Sequence, residues 1–225
     1  MIREIILDTE TTGLNPADGH RIVEIGAVEI IDRQITGNTY QQYINPQREI
    51  PIEAINIHGI TDKRVKNEPI FDQIVDEFNN FIRDSTVIIH NAPFDVGFIN
   101  NEYKLCQHNI QDIKEICKIK DSLVMAKRKH KGGGHSLDAL CKKYSIENSH
   151  RTYHGALLDS TILAEVYLKL SGGQATIKME QEQIQNNIQD TTFNANSSPV
   201  TLKVIRATAD EMTQHQEIIS SFQGR

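Results

Sequence analysis

The sequence predicts an α/β domain, a mixed β-sheet flanked by α-helices, with a flexible linker and a short C-terminal segment after it. Three observations predict it. Apolar, strand-like runs come first and close together, at residues 2–9 and 21–31, as in an antiparallel meander. Segments with helical periodicity then alternate with a further apolar run, the mark of a sheet with helices packed on it. Past residue 171 the chain turns to Gln and Asn with few bulky apolar residues, a composition that buries too little surface to fold alone.

The elements follow in order. Residues 2–9, 21–31 and 38–44 read as three strands separated by Gly and Asn. Residues 69–84 carry Ile70, Ile74, Phe78 and Phe81 at helical spacing. The run TVIIH, residues 86–90, is another strand, and helices are expected at 95–105, 136–144 and 155–170. These make one domain over residues 1–172, a linker over 173–199 and a C-terminal segment over 200–225. In that last segment Val200, Leu202 and Val204 alternate as in a strand, and Thr208-Ala-Asp-Glu211 is a capping-box pattern. A strand–helix piece this short is not stable alone, so it reads as a docking tail.

Composition narrows the function. A net charge of −6 over 225 residues excludes a protein that coats nucleic acid through a broad basic surface. It leaves room for an enzyme that grips only a chain end. No apolar stretch approaches the roughly 20 residues needed to cross a bilayer, and the N-terminus enters a strand with no signal-peptide pattern. A cytoplasmic protein with no membrane partner is expected. Cys106, Cys117 and Cys141 are odd in number and lack C-x-x-C spacing, which points to reduced thiols.

Chemistry concentrates in three places. Asp8-Thr9-Glu10 ends the first apolar run, and residues two apart on a strand share a face. Two carboxylates there are costly to bury unless neutralised, and hard divalent cations such as Mg²⁺ or Mn²⁺ prefer oxygen ligands. His90-Asn91-Ala92-Pro93-Phe94-Asp95 follows the TVIIH strand, and Pro93 in a first helical turn puts Asp95 near a helix N-terminus. There Asp95 either complements the helix dipole or adds a third site carboxylate. In His154-Gly-Ala-Leu-Leu-Asp159 the spacing places His154 in the loop or first turn and Asp159 on the helix. Four carboxylates match a two-metal phosphoryl-transfer site, and an imidazole is a natural general base for the attacking water.

The order D-x-E, N-x-x-F-D, H-x₄-D resembles the DEDDh 3′→5′ exonucleases of the ribonuclease H-like superfamily. Within that family, Asp8-Thr-Glu-Thr-Thr-Gly-Leu14, Arg21-Ile-Val-Glu-Ile-Gly-Ala27, His58-Gly-Ile-Thr61, the run GGGHSLDALCKKY at 132–144 and residues 150–159 look like the proofreading subunits of bacterial replicative DNA polymerases. The resemblance covers nearly the whole chain outside the linker. It implies a ribonuclease H-like fold and two Mg²⁺ or Mn²⁺ ions held by Asp8, Glu10, Asp95 and Asp159, with His154 as base. It implies a terminal-nucleotide site made by Thr9, Glu10, Thr11, Leu14, Ile57, His58, Asn91 and Phe94. Of these, Leu14, Ile57 and Phe94 offer apolar surface, and Thr11 and His58 offer hydrogen bonds.

The implied substrate is a single-stranded or frayed 3′ end of DNA. The implied partners are the polymerase catalytic (alpha) subunit, through residues 202–216 of the tail, and a small theta-like subunit. The peptide from Gln174 to Met179 resembles a sliding-clamp-binding motif, with Met179 where a bulkier or aromatic residue is usual. The basic run Lys127-Arg-Lys-His-Lys131 is either a solvated face or a phosphate contact. Two other readings stand beside the proofreading one: an RNA-trimming exonuclease with the same site, since acid spacing does not separate DNA from RNA, and a non-catalytic polymerase-assembly module.

Overall fold

The computed structural model describes residues 2–148 and 153–172. The linker, the docking tail, the Gln174–Met179 peptide and residues 149–152 lie outside the described residues.

One five-stranded sheet organises the chain, in the order β3-β2-β1-β4-β5. Strands β1 (Arg3–Thr11), β2 (Ile22–Ile31) and β3 (Gln34–Tyr43) form the expected antiparallel meander. Strand β4 (Thr86–Ile89) pairs in parallel with β1, and β5 (Lys118–Asp121) in parallel with β4. The sheet is therefore mixed, and its interior strands carry near-continuous apolar runs because both faces are covered.

The pleat sorts the side chains. Ile5 and Leu7 of β1 join Ile25 and Ala27 of β2 in a cluster with α3 (Phe71–Ile82) and α4 (Ala92–Leu105). Ile6, Val28 and Ile30 face the other way, onto Leu163, Ala164 and Tyr167 of α7 (Ala156–Ser171). Helices α5 (Ser122–Lys129) and α6 (Leu137–Tyr144) pack beside α7 through Ala126, Leu140 and Cys141. Short helices α1 (Ile52–His58) and α2 (Asp62–Val65) cover Val23 with Ala54, Ile60 and Val65. The register shifts between Glu10 and Thr11, where Glu10 pairs with Glu24 but Thr11 with Ile22. The extra residue, Val23, turns toward α1, and such a bulge re-aims the strand end that carries Glu10.

Three differences from the sequence reading have physical causes. Strand β3 begins at Gln34, four residues earlier than expected, because an edge strand whose only buried residue is Tyr40 shows no apolar alternation. Strand β5 was not expected, since Lys118-Ile-Lys-Asp121 has one apolar residue. The basic run is mostly the last turn of α5. There Lys129 Nζ donates to the carbonyls of Lys169 at 3.2 Å and Leu170 at 2.6 Å, so this lysine caps the C-terminal end of α7. All three cysteines are free thiols, and Cys117 and Cys141 are buried. No helix among the described residues is long and apolar enough to cross a membrane.

Candidate active site

The acidic strand end sits between two helical layers. Asp8 and Glu10 point to the α7 face, as the pairings Asp8↔Gly26 and Glu10↔Glu24 require. Helix α7 reaches this spot because Gly26 has no side chain. A Cβ there would lie 2.1 Å from the Leu157 nitrogen and 2.2 Å from the Ala156 carbonyl carbon. Ser160 Oγ donates to the Gly26 carbonyl at 2.8 Å and pins the contact. The outcome is that one ligand atom each from Glu10, His154 and Asp159 lies within 4.8 Å of the others. His154 precedes the helix, Asp159 is in its first turn, and His154 Nδ1 lies 3.2 Å from Asp159 Oδ2. The His154 amide donates to the Ile57 carbonyl at 3.1 Å, tying this loop to the end of α1.

Thr9, between the two acids, faces the other layer and holds Asp95. Its amide and hydroxyl both donate to Asp95 Oδ1, at 3.1 and 2.7 Å. Asp95 lies in the first turn of α4, after Pro93 as the sequence predicts, and is 3% exposed. Burial pushes its carboxyl up to about 7, against the Thr9 bonds that pull it down. Buried, oxygen-rich surroundings of this kind suit a hard divalent cation, whose field would lower a neighbouring carboxyl's pKa.

Glu10 also lines a cavity of about 560 Å³ with Thr9, Thr11, Leu14, Ile57, His58 and Phe94. Leu14 and Ile57 are 82% and 52% exposed, so they form a wall open to a ligand. Phe94 packs on Phe98, ring centroids 5.0 Å apart, and closes the inner side. His58 is buried, and its Nδ1 accepts from the Ile60 amide at 2.9 Å. That bond places the ring proton on Nε2, and burial pushes the imidazole's pKa down, which keeps it neutral. Nε2–H is thus a donor.

The hydroxyl of Thr11 donates to the Gly13 carbonyl at 2.6 Å and serves the turn. The Thr9 hydroxyl donates to Asp95, so both hydroxyls are engaged within the protein in this structure. Asn91 does not line the cavity. It is the left-handed residue before α4, φ 68°, and its amide donates to Asp121 Oδ1 at 3.3 Å.

Sequence reasoning missed Asn15, Asp18, His20 and Glu53, which line the cavity with Thr12 and Gly13. His20 Nδ1 bonds the Thr12 hydroxyl at 3.0 Å and its ring lies where a Cβ on Gly13 would be. The closeness of Gly13 to the D-x-E motif was the available signal.

A family model described as exonuclease matches residues 5–167. The chain is 46% identical to a protein of Rickettsia felis named DNA polymerase III subunit epsilon, over 98% of this chain and 97% of that one. It is 44% identical to the Escherichia coli protein of the same name, over 95% and 90%. Among solved structures it is similar to exonuclease X in complex with 5′ overhanging duplex DNA, at 26% identity and a TM-score of 0.59, covering 74% of this chain and 90% of that one. The nuclease domain of 3′hExo, a DEDDh family member bound to rAMP, shares the fold at 19% identity and a TM-score of 0.65, over 75% and 91%.

Proposed function

The chain belongs to the exonuclease family, with DNA polymerase III epsilon subunits as its relatives, and from that premise we propose a proofreading 3′→5′ exodeoxyribonuclease that serves the bacterial replicative polymerase in the cytoplasm. The observation that carries the reading is that Glu10 belongs both to the Glu10–His154–Asp159 cluster and to the cavity. A reacting centre and a binding site thus share a residue.

The cavity's size suits one nucleotide, and its wall of Leu14, Ile57 and Phe94 suits sugar and base. A phosphodiester placed beside Glu10 and Asp159 is repelled unless cations lie between them. We assign two Mg²⁺ or Mn²⁺ ions to Asp8, Glu10, Asp95 and Asp159. Such ions supply water activation and charge stabilisation at a phosphoryl centre. His154 takes a proton from the attacking water, and the Asp159 carboxylate 3.2 Å away steadies the imidazolium that results. The water oxygen bonds to phosphorus, the bond to the 3′ oxygen of the preceding nucleotide breaks, that oxygen takes a proton from solvent, and His154 returns its proton to solvent. A nucleoside 5′-monophosphate is released. Selectivity follows from access, because a mispaired 3′ end unpairs more readily and only an unpaired nucleotide enters.

The relatives match over nearly all of this chain, the tail included. That supports residues 1–172 as the catalytic domain, 173–199 as linker and 200–225 as the segment that docks on the polymerase catalytic (alpha) subunit. The same resemblance supports a clamp contact at Gln174–Met179 and a theta-like partner.

The test uses 5′-labelled DNA with a 3′ mismatch and a matched RNA strand, each with Mg²⁺ and with chelator. A metal-dependent ladder on DNA, faster at the mismatch and weak on RNA, is expected. A preference for RNA would move the reading to RNA trimming, and no hydrolysis of either would favour an assembly module. Asp8→Ala should abolish hydrolysis and leave assembly with the polymerase intact.

A further inference from the structure

One buried acid near the site has no part in the chemistry above. Glu24 lies near the start of β2, 1% exposed. It pairs with Glu10 across the β1–β2 ladder, so both side chains stand on the α7 face. Like charges directly opposite one another destabilise a sheet, and a buried carboxylate needs hydrogen-bond partners. Glu24 has them. Its Oε1 accepts from Gln41 Nε2 of β3 at 2.8 Å, and its Oε2 accepts from the amide of Ala156 at 3.1 Å.

Ala156 is the first residue of α7, and the N-cap before it is Gly155. A helix start normally has an orphan amide satisfied by the side chain of its own N-cap residue. Glycine has none to give. The cap comes instead from a strand 132 residues earlier in the chain. This difference matters mechanically. A Ser or Asp at position 155 would reach the amides of Leu157 or Leu158 instead and leave the helix start attached only to its own loop. A cap carried by β2 fastens the helix start to the sheet, beside Glu10. Together with the close approach at Gly26 and the Ser160 bond two residues further along β2, it sets the first turn of α7 in two directions. Asp159 is three residues after the capped amide, and His154 two before it.

We infer that Glu24 is a positioning residue that holds Asp159 and His154 in reach of Glu10 by capping α7 from the neighbouring strand. The inference rests on the proposed reading that Asp159 and His154 act in hydrolysis. The role is one of placement. Glu24→Gln keeps it, because the amide oxygen still accepts from Ala156 and the amide NH₂ donates to the Gln41 carbonyl once that side chain turns over. Glu24→Ala removes it.

The experiment compares the full-length wild type, Glu24→Ala, Glu24→Gln, Gln41→Ala and Asp159→Ala on the p-nitrophenyl ester of thymidine 5′-monophosphate, with Mn²⁺ binding followed by EPR and folding followed by circular dichroism. An ångström of misplacement costs about 100-fold in rate, so Glu24→Ala should lose kcat on that order. Its KM should stay within about twofold, because the cavity wall comes from β1, α1 and α4. Its Mn²⁺ affinity should fall with kcat, and Glu24→Gln should restore both to within about threefold of wild type. An unchanged kcat in Glu24→Ala overturns the inference, and so does a Gln variant that falls as far as the Ala variant, which would mean charge rather than placement. If Glu24→Ala does not fold, Gln41→Ala decides. This exposed change removes the Gln41 bond and leaves Glu24 with the Ala156 amide and the Tyr43 hydroxyl; it should lower kcat with KM unchanged, and no change in kcat overturns the inference. Hydrolysis by Asp159→Ala would instead sink the reading of the site itself.

Discussion

Replacing Asp95 by Asn should remove a pH dependence that the fold itself creates. In the metal-free protein the folded carboxyl titrates near 7, against 3.8 for the ordinary side chain. Below about 3.8 both folded and unfolded chains carry the proton. As pH rises from there toward 7 the unfolded chain loses it and the folded chain keeps it, so unfolding releases a proton and stability falls across that window. Above 7 both forms are ionised and the penalty is constant. At about 1.36 kcal/mol per pH unit, that window is worth roughly 4 kcal/mol as an upper bound. For a chain of this size that is on the order of 8–16 °C in Tm.

Asn is the right probe because its side-chain oxygen still accepts both Thr9 bonds while the group no longer titrates. Thermal melts in chelator between pH 5 and 8 should show the wild type losing several degrees more than Asp95→Asn over that range. Added Mg²⁺ should then raise the wild-type Tm more at pH 8 than at pH 5.5, since at the lower pH the cation must displace a proton. Parallel melting curves for the two proteins would refute the assignment of a raised Asp95 pKa, and a Mg²⁺ effect independent of pH would refute its place among the metal ligands.

Gly26→Ala puts a Cβ against the backbone of Ala156 and Leu157; α7 must shift, and ester hydrolysis should fall about 100-fold or more while the chain still folds. Leu14→Ala and Ile57→Ala each truncate one of the three apolar residues of the wall, both exposed without ligand. Each should raise KM for the mononucleotide ester about fivefold with kcat unchanged and no loss of Tm, as for about 1 kcal/mol of lost burial. Glu102→Gln strips the charge from a carboxylate that grips Arg21 in two places, at 2.8 and 2.7 Å. Chemical denaturation should show a loss of roughly 2–4 kcal/mol, at the low end because Arg21 reaches solvent and rehydrates.

Legibility in the sequence tracked how much a segment's own residues decide its state. β1, β2, α3 and α7 were readable because burial on one or both faces writes a periodicity into them. The α1 helix, Ile52–His58, has seven residues and only Ala54 and His58 buried, so its packing on Val23 had no local signature. The helix α5 hid for a related reason: Lys127, Arg128 and Lys129 in its last turn read as a charge run, although one of them is bonded to α7. In the site, the acids were legible by type and spacing. The use of each hydroxyl was not, because whether Thr9 and Thr11 bond inward or toward a ligand depends on Asp95 and Gly13 lying within reach in three dimensions. Glu24 left a trace, an acid inside an apolar run, but its partner is the amide of a residue distant in sequence.

Three consecutive residues explain why so short a motif can gather a site from so much chain. On a strand between two helical layers, adjacent side chains serve opposite layers. Asp8 and Glu10 meet α7, and Thr9 meets α4. The Asp-Thr-Glu step therefore collects Asp159 from one layer and Asp95 from the other at a single strand end. Each layer has its own fastening, Glu24 and Gly26 on the α7 side and the paired Thr9 bonds on the α4 side. A cation held by Asp8, Glu10, Asp95 and Asp159 would draw on both halves. Loosening either half should weaken metal binding, and because the side chains of Thr9 and Glu24 lie on opposite faces of the sheet with different hydrogen-bond partners, loosening both should weaken it by about the product of the two effects.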